Sequence, residues 1–252
     1  GYSIDEEEFA RCMEEQRNRA RAANVKDAEA AWSTYGGVHA DLLKELGATE
    51  FVGYECLSAD AKVCAIVRNG ERVDSLAAGE QGEIVLNVTP FYAEMGGEVG
   101  DTGTITADGA ELQVIDTKAP EKGLVCHVAT VASGTLAVGM AVSAQVDAKR
   151  RACIARNHTC THILHAALRQ VLGAHVKQAG SYVGPDRLRF DFTHFESVTP
   201  EQLKQVEELA NSVIMSATAT NIFETSLAKA REEGVTALFG EKYGDKVRVV
   251  SM

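Results

Sequence analysis

The sequence predicts an α+β protein: an N-terminal helical segment, a small antiparallel β-barrel, then a mixed α+β layer domain. Three observations carry this. Short alternating runs broken by Gly, Asn and Asp fill residues 51–147, the pattern of many short strands joined by tight turns. Two helical patterns with good boundary residues follow, around 157–173 and 199–218, with strand-like runs after each. The 252 residues, 45% hydrophobic, suffice for one large domain or two ordinary ones.

Residues 5–46 read as helical. Phe9, Met13 and Ala20 form a thin apolar stripe among Glu and Arg, and Gly36-Gly37 interrupts the pattern before "VHADLLKEL". This region has the character of a connecting element. In the barrel region "EIVLNVT", "GTIT", "ELQVID", "LVCHVATV" and "MAVSAQVD" alternate, and "RNGER", "AAGEQGE", "EMGGEVGDTG" and "ADGAE" separate them. In the third region Asn157 is the expected N-cap of a helix ending near Gly173. "YVGPDRLRFDF" reads as a turn and a strand over 188–192. Thr199, Pro200 and Gln202 have the spacing of a capping box with proline in the first turn. "IFETSL" and "KVRVVSM" read as strands around a short helix, "AKAREEG".

Composition narrows the function. No run of eighteen apolar residues occurs, and the acidic start lacks the form of a signal peptide. The first residue is Gly, which suits a piece of a longer protein. Six scattered cysteines without a Cys-x-x-Cys pair suit free thiols in a reducing cytosol. The net charge of −11 argues against broad nucleic-acid binding, DNA included. The charge is uneven, however. Residues 149–194 hold eight basic residues (Lys149, Arg150, Arg151, Arg156, Arg169, Lys177, Arg187, Arg189) and two acids, a local +6 against −17 elsewhere. Such an island is either ordinary solvated charge or a confined place for an anionic partner such as an RNA end.

The basic island contains "RNHTCTHILHAALRQVLG". On a helix, His158, His162 and His165 fall within roughly 60° of one another, away from Leu164, Leu168 and Val171. About 0.2 His-x-x-x-His pairs are expected by chance with seven histidines, so spacing alone does not establish a metal site. Thr159 occupies the place of the zinc-protease glutamate, which excludes that chemistry. A metal would need further ligands, and His165, Cys160, His175 and His194 are the candidates within the chain. Cys160 points away from the histidine face and reads as a buried thiol rather than a nucleophile. Gln178 reads as a solvated loop residue.

Taken in order, "TPFYAEMGGEVGDTG", "RNHTCTHILHAALRQVLGAHVKQAGSYVGPDRLRFDFTH" and "ALFGEKYGDKVRVVSM" resemble the editing region of alanyl-tRNA synthetases, and the resemblance extends over nearly the whole chain. It implies residues 1–48 as a helical linker, 49–148 as the β-barrel and 149–252 as an editing (deacylase) domain. It implies hydrolysis of the ester of seryl- or glycyl-tRNA(Ala). His158 and His162 would be two zinc ligands. The other two belong to a Cys-x-x-x-His motif expected after Met252, so the domain would be C-terminally incomplete. Thr161 and Gln178 match positions that recognise the amino acid. Lys149, Arg150, Arg151 and Arg156 would meet the tRNA acceptor end. The implied partner is tRNA(Ala), with the rest of the synthetase in cis, no DNA and no membrane, in the cytoplasm. ATP would serve only the aminoacylation half, whose site is not seen in this stretch. A free-standing editing protein, or a tRNA-binding module without catalysis, are the alternatives.

Overall fold

The computed structural model describes residues 37–232 and 244–251, with Val235 and the isolated positions Glu8, Arg11, Met13 and Glu15. Those four N-terminal positions are helical, and Arg11 pairs with Glu8 and Glu15 on one helix face. The rest of the expected N-terminal stripe, Phe9 and Ala20 included, lies outside the described residues, as do 237–243 and 252 of the last motif.

The chain divides into two compact units: residues 1–94 with 100–147, and residues 95–99 with 148–252. The first opens with helix α1 (Val38–Leu46), which ends at Gly47 with φ +76°. Two pairs of short strands lie outside the ring: β1 (Glu50–Phe51) with β6 (Val88–Thr89), and β4 (Ser75–Ala77) with β10 (Thr135–Ala137). The barrel strands are β2 (Ser58–Arg68), β5 (Gln81–Leu86), β7 (Gly103–Ala107), β8 (Ala110–Glu121), β9 (Leu124–Ser133) and β11 (Ala141–Val146). They pair antiparallel in the order β11-β7-β8-β9-β5-β2, and β11 returns to β2. Six strands thus close on themselves, which leaves the ring without a free edge. Ile66, Ile84, Leu86, Phe91, Ile105 and Leu112 fill the interior. Asn69 (φ 53°) and Gly70 (φ 79°) join β2 to its hairpin partner β3 (Glu71–Val73). Positive φ at both central residues is what a two-residue primed turn requires. Strand β2 escaped the alternation test because Ala65, Ile66 and Val67 are buried in succession.

Inside the barrel His127 is wholly buried. Its Nδ1–H donates to the Ile84 carbonyl at 2.8 Å, so Nε2 accepts from the Thr89 hydroxyl at 2.7 Å. Thr89 Oγ1 in turn accepts from the Phe91 N–H at 3.1 Å. The chain of bonds assigns one neutral tautomer, and burial holds the imidazole pKa down to about 4.

The second unit contains α2 (Ala148–Leu172), β12 (Lys177–Val183), β13 (Leu188–Thr193), α3 (Pro200–Met215), β14 (Asn221–Ser226), α4 (Leu227–Glu232) and β15 (Lys246–Ser251). Helices α2 and α3 pack through Leu168, Ala167 and Val206, with Phe190 and Phe192 of β13 against them. The Thr199 capping box forms as expected: Gln202 N–H donates to Thr199 Oγ1 at 3.2 Å and Thr199 N–H to Gln202 Oε1 at 2.9 Å.

Two expectations need correction. Helix α2 begins nine residues before Asn157, which is therefore no N-cap. Its side-chain amide instead donates to the Gly184 carbonyl at 2.8 Å, a tertiary bond the local sequence does not announce. Gln178 is no loop residue either. It sits half-buried on β12, opposite Phe192 and beside a bulge that precedes Gly180. The Gln-Ala-Gly-Ser run obscured this strand, because Gly and Ala are poor strand formers.

Candidate editing site

The site grows from α2. Residues four apart share a helix face, and the His158 and His162 rings lie with centroids 5.2 Å apart, tilted by 40°. His158 is about half exposed, at 48% of its side chain. Partial desolvation, then the neighbouring His158 and His165 rings, hold the His162 pKa below the usual range. This favours the neutral form of His162, the one that binds a metal.

His165 departs from the expected face. It is buried at 8% exposure, its ring is 5.2 Å from Phe190, and it donates to the Val176 carbonyl. The layer of strands covers more of the helix than the leucine stripe alone suggested. Burial, opposed by that carbonyl, holds its pKa down. Its Nε2 finds no hydrogen-bond partner among the described residues. His175 and His194 meet each other, Nε2 to Nδ1 at 2.8 Å, with their rings stacked. Among the described residues, no third Cys, His, Asp or Glu ligand atom gathers with the His158–His162 pair. Cys160 is half-buried and its thiol pKa is raised by burial, which disfavours the thiolate.

Thr161 is buried, and its hydroxyl donates to the Asn157 carbonyl at 2.9 Å. That spends the one proton and leaves Oγ1 only as an acceptor. Of the basic residues, Lys149 and Arg156 are exposed, while Arg150 and Arg151 are half-buried. Arg156 reaches Cys153 Sγ at 3.1 Å. Farther along the island, Arg189 pairs with Asp191 at 3.1 Å, and Arg187 lies 5.6 Å from the Tyr182 ring centre.

The turn "MGGE" belongs to this unit, although it lies between barrel strands in sequence. Met95 and Glu98 exchange backbone hydrogen bonds of 3.1 and 2.9 Å around Gly96 (φ 61°) and Gly97 (φ 87°). The Val183 N–H donates to the Gly97 carbonyl at 2.8 Å, and the Val99 N–H to the Val183 carbonyl at 3.0 Å. The turn delivers the Glu98 carboxylate to His158 Nδ1. Sequence reasoning missed Glu98. The available signal was an acid placed directly after two glycines in "EMGGEVGDTG".

A profile for the family described as tRNA synthetases class II (A) matches residues 1–150. An alanine–tRNA ligase of Pelotomaculum thermopropionicum is 49% identical over 252 residues, all of this chain and 28% of the relative. The chain belongs to the alanyl-tRNA synthetase family. Similar proteins from Carboxydothermus hydrogenoformans and Nitrobacter winogradskyi, both alanine–tRNA ligases, are 49% and 48% identical over the whole chain, at 29% and 28% of their own lengths. The chain thus spans less than a third of these synthetases. The histidine helix lies almost wholly outside the profile match but inside the pairwise ones. No helix among the described residues is long and apolar enough to cross a membrane.

Among the described residues, one trio of metal-ligating types does converge: His39, Glu83 and Cys126 in the first unit. His39 Nε2 meets Glu83 Oε2 at 2.7 Å, and the Cys126 thiol bonds to the same residue. These groups satisfy one another and need no ion.

Proposed function

We propose that residues 149–252 act as an aminoacyl-tRNA deacylase within an alanyl-tRNA synthetase, clearing seryl and glycyl esters from tRNA(Ala). In this reading residues 1–48 are a helical linker, 49–148 the barrel and 149–252 the editing domain. The observation that carries it is the His158–His162 face with Glu98 on His158 Nδ1, in a chain of this family.

The nitrogen donors suit zinc, which prefers His and Cys ligands in a tetrahedral set. His158 is engaged by Glu98 through Nδ1, so Nε2 is the nitrogen it would offer a metal, and the lowered pKa of His162 favours its neutral, metal-binding form. Zinc held there would act as a Lewis acid toward the ester or a water. The remaining work falls to the chain's own residues. Thr161 Oγ1, its proton committed to Asn157, can accept from the hydroxyl of a seryl substrate. A pocket that takes serine and glycine yet spares alanine cannot rely on size, so such polar placement must discriminate. Gln178, half-buried beside the β12 bulge, offers an amide to orient the aminoacyl group. Lys149, Arg150, Arg151 and Arg156 supply positive charge for the acceptor-end phosphates. ATP belongs to the aminoacylation half. In this reading the activity is cytoplasmic, as part of the synthetase.

The test is hydrolysis of seryl-tRNA(Ala) by the full-length protein with zinc supplied. His158→Ala and His162→Ala should each abolish it while alanine charging persists. Absence of hydrolysis in the unaltered protein would reduce the unit to tRNA binding alone.

A further inference from the structure

We infer that Glu98 is a positioning residue for the metal-binding histidines, and that the Gly96-Gly97 turn serves to deliver it. This rests on the proposed function and goes beyond it, because it names a carboxylate from outside the histidine helix as part of the site.

The proton on His158 comes first. A carboxylate at Nδ1 is an acceptor only, so Nδ1 carries the hydrogen, and in the neutral ring that a metal binds the lone pair is then on Nε2. Metal-binding histidines usually donate their second N–H to a carboxylate or carbonyl, which selects the tautomer, holds the ring and raises the basicity of the ligating nitrogen. Glu98 meets that description. Its side chain is only 12% exposed, against 48% for His158, so the pair is not a loose surface contact of the kind that contributes little.

The backbone around Glu98 is held at several points. Met95 and Glu98 close the turn on each other, and two hydrogen bonds tie Gly97 and Val99 to Val183. The Ser181 hydroxyl donates to the Gly96 carbonyl at 3.2 Å. Gly97 has φ +87°, and a Cβ there would lie 2.3 Å from the Ser181 carbonyl oxygen. Only glycine allows this approach, and the approach sets where the next residue points.

The experiment measures zinc and cobalt affinity of the full-length protein by chelator competition, for wild type, Glu98→Gln and Glu98→Ala. Glu98→Ala should weaken metal binding about ten- to a hundredfold and shift the cobalt absorption bands. Glu98→Gln keeps the shape and an accepting oxygen without the charge, so it should fall between. Wild-type affinity and spectra in both variants would overturn the inference and leave the proposed function standing. A wild-type protein that takes up no metal would overturn the proposed function, and this inference with it.

Discussion

A Cβ added to Gly97 would lie 2.3 Å from the carbonyl oxygen of Ser181, a residue 84 positions later. The contact lies within one compact unit and makes Gly97 structurally irreplaceable. Gly97→Ala combines this clash with strain at φ +87°. Gly79 has φ +84°, and a Cβ added there would meet nothing within 4 Å, so Gly79→Ala isolates the strain, about 1–2 kcal/mol. Gly97→Ala should cost clearly more in denaturant unfolding. Equal losses would show that the turn gives way without penalty.

Burial of His127 makes a pH prediction. An unfolded histidine titrates near 6.5 and the folded one at about 4, so only the unfolded state gains a proton between them. The stabilising contribution is complete above pH 6.5 and is lost as pH falls to 4. The loss is about 3 kcal/mol by linkage. Unfolding measured at pH 7, 5.5 and 4 should show it, and His127→Leu, though less stable throughout, should flatten the slope. An unchanged slope in that variant would assign the acid sensitivity elsewhere.

Cys126 should resist alkylation in the folded protein. It is fully buried, and burial, followed by the charge of Glu83 and the bond to it, raises its thiol pKa. Mass mapping after maleimide treatment should find Cys126 unmodified until denaturant is added. Early labelling would mean that this region opens locally.

Loss of the Thr199 cap should cost roughly 1 kcal/mol. Thr199→Ala removes the acceptor for the Gln202 N–H, and faster amide exchange in the first turn of α3 is the expected readout. Unchanged exchange at Gln202 would mean that water replaces the hydroxyl at no cost.

Thr161→Val preserves shape and removes the accepting oxygen. If Thr161 reads the seryl hydroxyl, kcat/KM for seryl-tRNA(Ala) should fall roughly tenfold, about 1.4 kcal/mol, while glycyl-tRNA(Ala) is hydrolysed as before. Equal losses on both substrates would assign Thr161 to structure, through its bond to Asn157.

The amino-acid order by itself determined whatever is settled within a few residues. The Asn69-Gly70 turn, the Thr199–Gln202 box, the end of α2 at Gly173 and the shared face of His158 and His162 are of this kind. Each depends on hydrogen bonds or periodicity that span four positions or fewer. Tertiary structure decided the rest. It turned His165 inward beneath the strand layer, turned Asn157 from a cap into a tie to Gly184, and gave Thr161 a buried hydroxyl with its proton spent. Above all it brought Glu98 to His158 across 60 positions. No local propensity encodes such a meeting, because it follows from which strands pair and which backbone can approach without a side chain in the way.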